Sequence, residues 1–475
     1  MLRIVAVLAT ALAISLTPHL AAAQAVPQSR AEITLSFAPV VKQAAPAVVN
    51  IYTRTVRERS SPFRGDPFFE RFFGGFFGEG LPGRQRIENS LGSGVIVSGD
   101  GLVVSNYHVV GGADEITVVL ADRREFEAEV VFTDQASDLA VLRLDDAEDL
   151  PTLPFRDSDS LEVGDLVLAI GNPFGVGQTV TSGIVSGLAR GPAGGKARGG
   201  NNARGGARNG YFIQTDAAIN PGNSGGALVD MTGALIGVNT SILSRSGGSN
   251  GIGFAVPSNL VGRVVEAARA GDMRLERPWL GIEARPVDGE MAAALGLDRP
   301  EGVLIEGLHP LSPLASAGLE RGDLVLALGG APVDSPAELA FRSATLGIGD
   351  RAEVQFLRRG EPQRAEIDLL APPEDPPRDP RKLDQAGRLT GLTVLAINPA
   401  VIVEARLPAD ARGVVVAGLD GPARRTGLRP RDVILSVNGT PVESTAAFES
   451  AVRTGVVELG VMRGQERGTI RIVNG

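Results

Sequence analysis

Hydrophobic positions along this chain fall into short runs broken by Gly, Asp and Pro, which is the pattern of many short strands. Between Gly92 and Pro257 the runs are "SGVIVS", "GLVVSNYHVV", "ITVVLA", "LAVLRL", "LVLAIGNP", "TVTSGIVSGLA", "ALIGVNTSIL" and "GIGFAVP", and upstream "PAVVNIYT" predicts a first strand. Strands of this length and spacing predict a mainly β domain, a sandwich or barrel, over residues 24–270. Two stretches break the pattern. A loop over 61–88 carries seven phenylalanines among glycines and charges, with no helical or strand period. Exposed phenylalanine is costly, so this loop is expected to pack on a neighbouring subunit, on its own site, or as a locally buried loop. A second stretch, 190–210, is dominated by Gly, Asn and Arg and predicts a solvated, mobile loop. It is not a phosphate loop, because Lys196 lacks the earlier glycine and the following Ser or Thr.

The C-terminal part repeats itself. "SPLASAGLERGDLVLALGGAPV" (312–333) aligns with "GPARRTGLRPRDVILSVNGTPV" (421–442) at an offset of 109, pairing Pro313 with Pro422, Gly318 with Gly427, Asp323 with Asp432 and Gly330 with Gly439. Upstream, "EGVLIEGL" matches "RGVVVAGL". Two tandem domains, 277–372 and 388–475, follow from this. The Pro-rich, charged segment 373–387 between them predicts an extended, semi-stiff linker.

The first residues read as a leader. Arg3 precedes a 13-residue apolar core, Ile4 to Leu16, and Ala21-Ala22-Ala23 forms a small-residue cleavage site, so 1–23 is expected to be a cleaved export signal. The core is shorter than the roughly 20 residues that span a bilayer, and an uncleaved anchor is the alternative. With no later apolar stretch of that length, the mature chain is expected to be soluble. The chain contains no cysteine, which excludes thiol catalysis and cysteine metal sites. A formal charge of −9 argues against nucleic acid as a partner. No H-E-x-x-H and no nucleotide motif occur, so neither a metal nor another cofactor is expected, and any activity should be independent of ATP.

Candidate chemistry centres on "INPGNSGGALVD", where Ser224 stands among glycines. Small neighbours let the chain turn sharply, aim a hydroxyl outward and admit a carbonyl to backbone N–H groups. Gly222 and Ser224 are the candidate N–H donors for an oxyanion. The base follows by elimination. Of three histidines, His19 lies in the leader and His309 in the repeat, which leaves His108 at the end of a strand. Asp138, just before an apolar strand, is the candidate for fixing the imidazole. Asp134 is its competitor and reads as a solvated turn residue.

His108, Asp138 and Ser224 stand in the chain order of chymotrypsin-like proteases. "SNYHVV", "SDLAVL", "GNPFG", "TSGIVS" and "QTDAAINPGNSGGAL" together resemble the motifs of the HtrA (DegP/DegQ) family of exported serine proteases over nearly the whole mature chain. The resemblance implies a chymotrypsin-like double β-barrel followed by two PDZ domains. It also implies a triad at His108, Asp138 and Ser224 and an oxyanion hole at Gly222, Asn223 and Ser224. Where trypsin has its pocket carboxylate this chain has Ala218, and with Ile219 and Asn220 it forms an apolar pocket for small aliphatic residues such as Val or Ala. Asn223 replaces the Asp with which digestive enzymes capture a new N-terminus, so activation is expected through loop rearrangement and assembly.

"RPWLGI" resembles the PDZ binding loop, with Leu280, Gly281 and Ile282 as a cradle for a peptide carboxylate. In the second copy "RLTGLTV" departs from that pattern, leaving peptide binding there open beside a docking role. The implied function is degradation of unfolded exported proteins in the periplasm, with their C-termini as cues. Homotrimers or multiples of them are implied, with chaperone activity and peripheral membrane association left open. The competing class is a non-catalytic holdase or PDZ scaffold.

Overall fold

The structure, a computed structural model, describes residues 36–57, 86–172, 178–188, 211–220, 222–242, 250–408, 410–453, 456–464 and 466–473. The leader 1–23, most of the Phe-rich loop and the whole of 190–210 lie outside the described residues. The chain divides into two compact units, one ending at Gly271 and one running on from Asp272.

The first unit holds two closed barrels. Strands β1 (Val48–Arg57), β2 (Arg86–Ile96), β3 (Leu102–Ser105), β4 (Glu115–Val119), β5 (Glu125–Asp134) and β6 (Leu139–Leu144) close in the order β1-β2-β3-β6-β5-β4. The second barrel comprises β7 (Leu166–Gly171), β8 (Thr179–Gly187), β9 (Ile213–Thr215), β10 (Ala227–Val229), β11 (Leu235–Ile242) and β12 (Gly253–Pro257), ordered β10-β11-β12-β9-β8-β7.

Each barrel is filled by the inward side chains of its strands. Val49, Ile51, Ile96, Val103, Val118 and Leu142 fill the first, and Val167, Ala169, Val185, Ile213, Leu228 and Ile236 the second. A further buried set, including Val48, Val95, Leu168, Ile170 and Leu235, draws residues from both barrels and joins them. Full burial of such a side chain stabilises by about 1.5–3 kcal/mol, so the seam between the barrels is itself core. The one-turn helix Tyr107–Val110 (α1) follows β3 and matters below, and Ser258–Ala270 (α2) follows β12.

The second unit contains two sheets of the same design. One has the order β13 (Ile282–Pro286), β14 (Val303–Leu308), β15 (Leu324–Leu328), β17 (Arg351–Arg358), β18 (Glu361–Asp368), with β16 (Ala331–Pro332) paired to β15. The other has the order β19 (Arg381–Lys382), β20 (Leu392–Ala396), β21 (Val414–Leu419), β22 (Val433–Val437), β24 (Val456–Arg463), β25 (Glu466–Val473), with β23 (Thr440–Pro441) on β22. A helix packs beside each, Pro336–Thr345 (α3) and Thr445–Ala451 (α4), and each opens on a serine cap, Ser335 and Ser444. Among the described residues no helix is long and apolar enough to cross a membrane.

The repeat read from the sequence has a structural reason at its acidic position. Asp323 and Asp432 are buried, and each carboxylate meets one arginine from a later strand, Arg358 at 2.7 Å and Arg463 at 2.6 Å. Each also accepts the N–H three residues back, from Glu320 at 2.7 Å and Arg429 at 2.8 Å. The same arginines donate to the carbonyls of Gly318 and Gly427. A buried carboxylate is tolerated only with such partners, which is why the repeat keeps Asp there.

Candidate active site

The candidate base and acid come from the first barrel. Strand β3 stops at Ser105 and His108 sits on the one-turn helix α1, not at a strand end. One carbonyl explains the change of direction: Asp138 O accepts from Asn106 Nδ2 at 3.0 Å and from Tyr107 N at 3.1 Å. Asp138 itself has φ of 58°, a left-handed conformation that Asp tolerates better than most residues. That turn sends its carboxylate back to α1. His108 Nδ1 lies 2.6 Å from Asp138 Oδ2, and the His108 N–H donates to Oδ1 at 3.0 Å. Thr240 Oγ1, from β11 of the second barrel, donates to Oδ2 at 2.7 Å. Burial pushes the Asp138 carboxyl up, but the charge and hydrogen bonds of His108 and the Thr240 hydroxyl outweigh it and hold it below its ordinary value.

Asp134 differs from expectation. It is buried, not solvated, and its Oδ2 accepts from Ser137 N at 3.1 Å and from the Ser137 hydroxyl. It therefore braces the turn that delivers Asp138.

Ser224 stands on the turn between β9 and β10. Gly225 has φ of 82°, and a Cβ there would lie 2.1 Å from Ser93 O; one on Gly226 would lie 2.3 Å from Ile170 O. Glycine is thus required by close backbone approach. The turn is tied by Asn223 N to Asn220 O at 3.0 Å, Gly225 N to Asn239 O at 2.8 Å and Gly226 N to Asn223 O at 2.9 Å. The Asn223 N–H is therefore engaged inside the turn. Among the described residues the N–H groups of Gly222 and Ser224 donate to no acceptor. Two backbone donors near a serine hydroxyl are what a developing oxyanion requires.

Two residues of this site carry no sequence motif. Ser93, fully buried on β2, donates its N–H to Ser224 O at 2.9 Å and its hydroxyl to Gly222 O, while Oγ accepts from Asn172 N at 2.9 Å. Ser105 Oγ fixes the Ser93 carbonyl at 2.7 Å. Thr240 is the second. Its carbonyl accepts the Ser224 hydroxyl at 3.0 Å, while its own hydroxyl holds Asp138. A serine hydroxyl has one proton to donate, so in this conformation it is offered to Thr240 rather than to an imidazole.

Beside the nucleophile turn, Ile219 is 1% exposed and packs on Gly253, where a Cβ would come within 2.7 Å of Ile219 Cδ1. The Ala218 carbonyl accepts from Thr181 Oγ1 at 2.8 Å. The nearby acid, Asp216, accepts the Ile184 N–H at 2.7 Å. Ile219 therefore belongs to the core of the second barrel rather than to an open pocket wall, and of this stretch only Ala218 and Asn220, both half-buried, reach the surface.

In the second unit, Leu280 and Gly281 precede β13. Gly281 has φ of 63°, and a Cβ would meet Trp279 at 2.8 Å and Ser312 at 3.0 Å. Ser312 Oγ donates to Leu280 O at 2.6 Å and His309 N donates to Gly281 O at 2.8 Å, while the N–H groups of Leu280 and Gly281 donate to no acceptor among the described residues. Ile282 begins β13, which pairs only with β14 among the described strands.

A family model for a trypsin-like peptidase domain matches residues 92–238, and PDZ domain models match 278–369 and 413–463. The chain is 39% identical over 426 residues, 87% of each chain, to a probable periplasmic serine endoprotease DegP-like from Marinomonas sp. (strain MWYL1). With the protein of the same description from Ectopseudomonas mendocina (strain ymp) the identity is 39% over 457 residues, 91% of this chain and 92% of that one. Among solved structures, the HtrA-type protease AlgW with tripeptide is 38% identical, with a TM-score of 0.50, covering 72% of this chain and 99% of that one.

Proposed function

The chain belongs to the DegP-like, HtrA-type family of periplasmic serine endoproteases, and from that premise we propose that His108, Asp138 and Ser224 are its catalytic triad. The observation that carries the proposal is the chain of contacts from the Ser224 hydroxyl through Thr240 to Asp138 and on to His108 Nδ1, beside two unengaged backbone N–H groups. Asp138 holds Nδ1 and so leaves Nε2 as the proton acceptor. Rotation of the Ser224 hydroxyl away from the Thr240 carbonyl brings its proton to that nitrogen. The alkoxide attacks the peptide carbonyl, and the oxyanion is met by the N–H groups of Gly222 and Ser224. His108 then protonates the leaving amine, and water releases the acyl-enzyme by the same route. No step uses ATP.

Ser93 acts as a positioning residue, since its hydroxyl holds the carbonyl of Gly222 and its N–H that of Ser224, the two residues whose N–H groups are the oxyanion donors. Ser93→Ala should lower kcat by about tenfold to a hundredfold with KM little changed, less than the roughly 10²–10³ that loss of a donor itself costs. Steady-state kinetics on a chromogenic peptide checks the split.

Ala218 and Asn220, with the buried Ile219 beneath them, would bound a shallow specificity pocket without a carboxylate, favouring cleavage after Val or Ala in unfolded exported polypeptides. Leu280, Gly281 and Ile282 of the first PDZ domain would receive their C-termini by strand addition to β13. Export by a cleaved 1–23 signal and assembly as trimers or multiples belong to the same reading. The test is fluorophosphonate labelling of the mature chain with casein present, followed by mapping of the cut sites. Labelling at Ser224 alone, with Val and Ala before the cuts, is expected. An unlabelled chain, or cuts after Arg and Lys, would refute the triad or the pocket respectively.

A further inference from the structure

The two PDZ domains treat the free edge of their sheets differently. In the first, β13 is open on the side facing α3. In the second, the equivalent strand β20 is covered on that side by β19, which belongs to the segment joining the domains. The equivalence is set by register: Ile282 pairs with Leu308 and Glu283 with Gly307, just as Leu392 pairs with Leu419 and Thr393 with Gly418, and both strands carry a bulge one residue later. Gly391 is therefore the counterpart of Gly281.

The segment lies along β20 as an added antiparallel strand. Arg381 faces Val394 and Lys382 faces Thr393. Ala396 N donates to Arg378 O at 2.7 Å, Leu383 N donates to Leu392 O at 2.9 Å, and Gly391 N donates to Leu383 O at 2.7 Å. The last bond uses the N–H whose counterpart in the first domain, on Gly281, meets no acceptor among the described residues. The segment is also held from the helix side. Arg381 Nη1 donates to Glu449 on α4 at 2.9 Å, and the Thr445 hydroxyl at the start of α4 donates to Asp379. Leu383 is 2% exposed and joins the buried cluster of Leu389, Leu392, Phe448 and Val452.

A peptide bound by strand addition makes these contacts: backbone pairing along the edge, a terminal oxygen on the loop N–H groups and a terminal side chain in an apolar pocket. We infer that residues 378–383 are an internal ligand that fills the peptide groove of the second PDZ domain, with Leu383 standing where a bound C-terminal residue would. Polypeptide C-termini are then received by the first domain alone, a consequence that rests on the cradle proposed there. The second groove opens only when its own linker is displaced. Because the segment is tethered at both ends, its effective concentration at the groove exceeds that of an ordinary free peptide.

Two cysteines test the seating. Lys382 and Thr393 are antiparallel partners, within disulfide reach, and the chain has no cysteine of its own. The full mature Lys382→Cys/Thr393→Cys protein should oxidise in air to one intrachain disulfide, and a folded variant with both thiols still reactive overturns the inference.

Counting peptide sites tests the closure. The probe is fluorescein-labelled Asp-Pro-Arg-Lys-Leu with a free C-terminus, titrated against full mature Ser224→Ala protein. One site per chain is expected there and in the oxidised cysteine pair, and two when 378–383 is replaced by six Gly and Ser residues. Two sites in the oxidised protein, or a folded replacement that binds no more peptide than Ser224→Ala, overturns the inference. If the replacement unfolds, Asp379→Ala/Arg381→Ala removes the contacts to α4 and the Arg381–Asp379 pair while leaving the backbone pairing and Leu383 in place. Amide exchange at Leu383 and Gly391 should then quicken more than tenfold, and unchanged exchange overturns the inference. No site in Ser224→Ala with one in the replacement would instead sink the first-domain cradle and leave the closed groove standing.

Discussion

Ser224→Ala should reduce kcat for casein by about 10⁶-fold, the scale on which loss of a serine nucleophile acts when its base, acid and oxyanion donors remain. The loss should fall on kcat rather than KM, because the substituted side chain is small and the surrounding turn is tied by backbone bonds that do not involve Oγ. Titration of cleavage rates with active-site labelling checks this, and retention of more than a thousandth of the activity would mean that another group attacks. The same variant separates the enzyme from the competing scaffold class. If it still suppresses aggregation of an unfolded client while cleavage is gone, the chain holds clients as well as cutting them.

Asp138→Asn should lower kcat by about 10⁴-fold. An asparagine can present an N–H to His108 Nδ1 where the carboxylate presented a lone pair, and the imidazole is then held with its other nitrogen protonated and unable to take the serine proton. The variant also has a stability signature. The Asp138 carboxyl lies below its ordinary value in the folded chain. A depressed acid contributes stability that is fully present above the unfolded pKa of about 3.9 and is lost as pH falls through the lower folded value. Urea midpoints below about pH 4 should therefore fall less steeply in Asp138→Asn than in the parent. Equal slopes would show that the carboxylate is not held as its contacts indicate.

Much of this was legible in the order of residues. The barrel strands "LAVLRL" and "LVLAIG" are buried almost along their length and read as continuous apolar runs, and the glycines around Ser224 announced a turn pressed against other backbone. Strand β5 gave no such signal. Its "EFEAEV" alternates glutamate with apolar residues, and Val130 and Val131 are solvent-exposed at a bulge. Ser93 and Thr240 were invisible for a different reason. A serine or threonine within a strand looks the same whether it faces a neighbouring strand or a nucleophile, and only the closure of two barrels against each other brings these residues to the site. The linker's composition predicts an extended segment, which suits a strand, but a two-residue pairing of Arg381 and Lys382 has no apolar period to reveal that it docks. Asp134 looks like a solvated turn residue in the sequence alone, because nothing there shows that Ser137 supplies the partners its burial demands.

The carboxylate–guanidinium clamp at Asp323–Arg358 recurs at Asp432–Arg463. Both copies have it down to the glycine carbonyl that each arginine also reaches. In each sheet it ties the strand carrying the arginine to the turn before the strand that the aspartate precedes, far along the chain. Loss of either arginine should therefore loosen its own domain and leave a buried carboxylate without its cation.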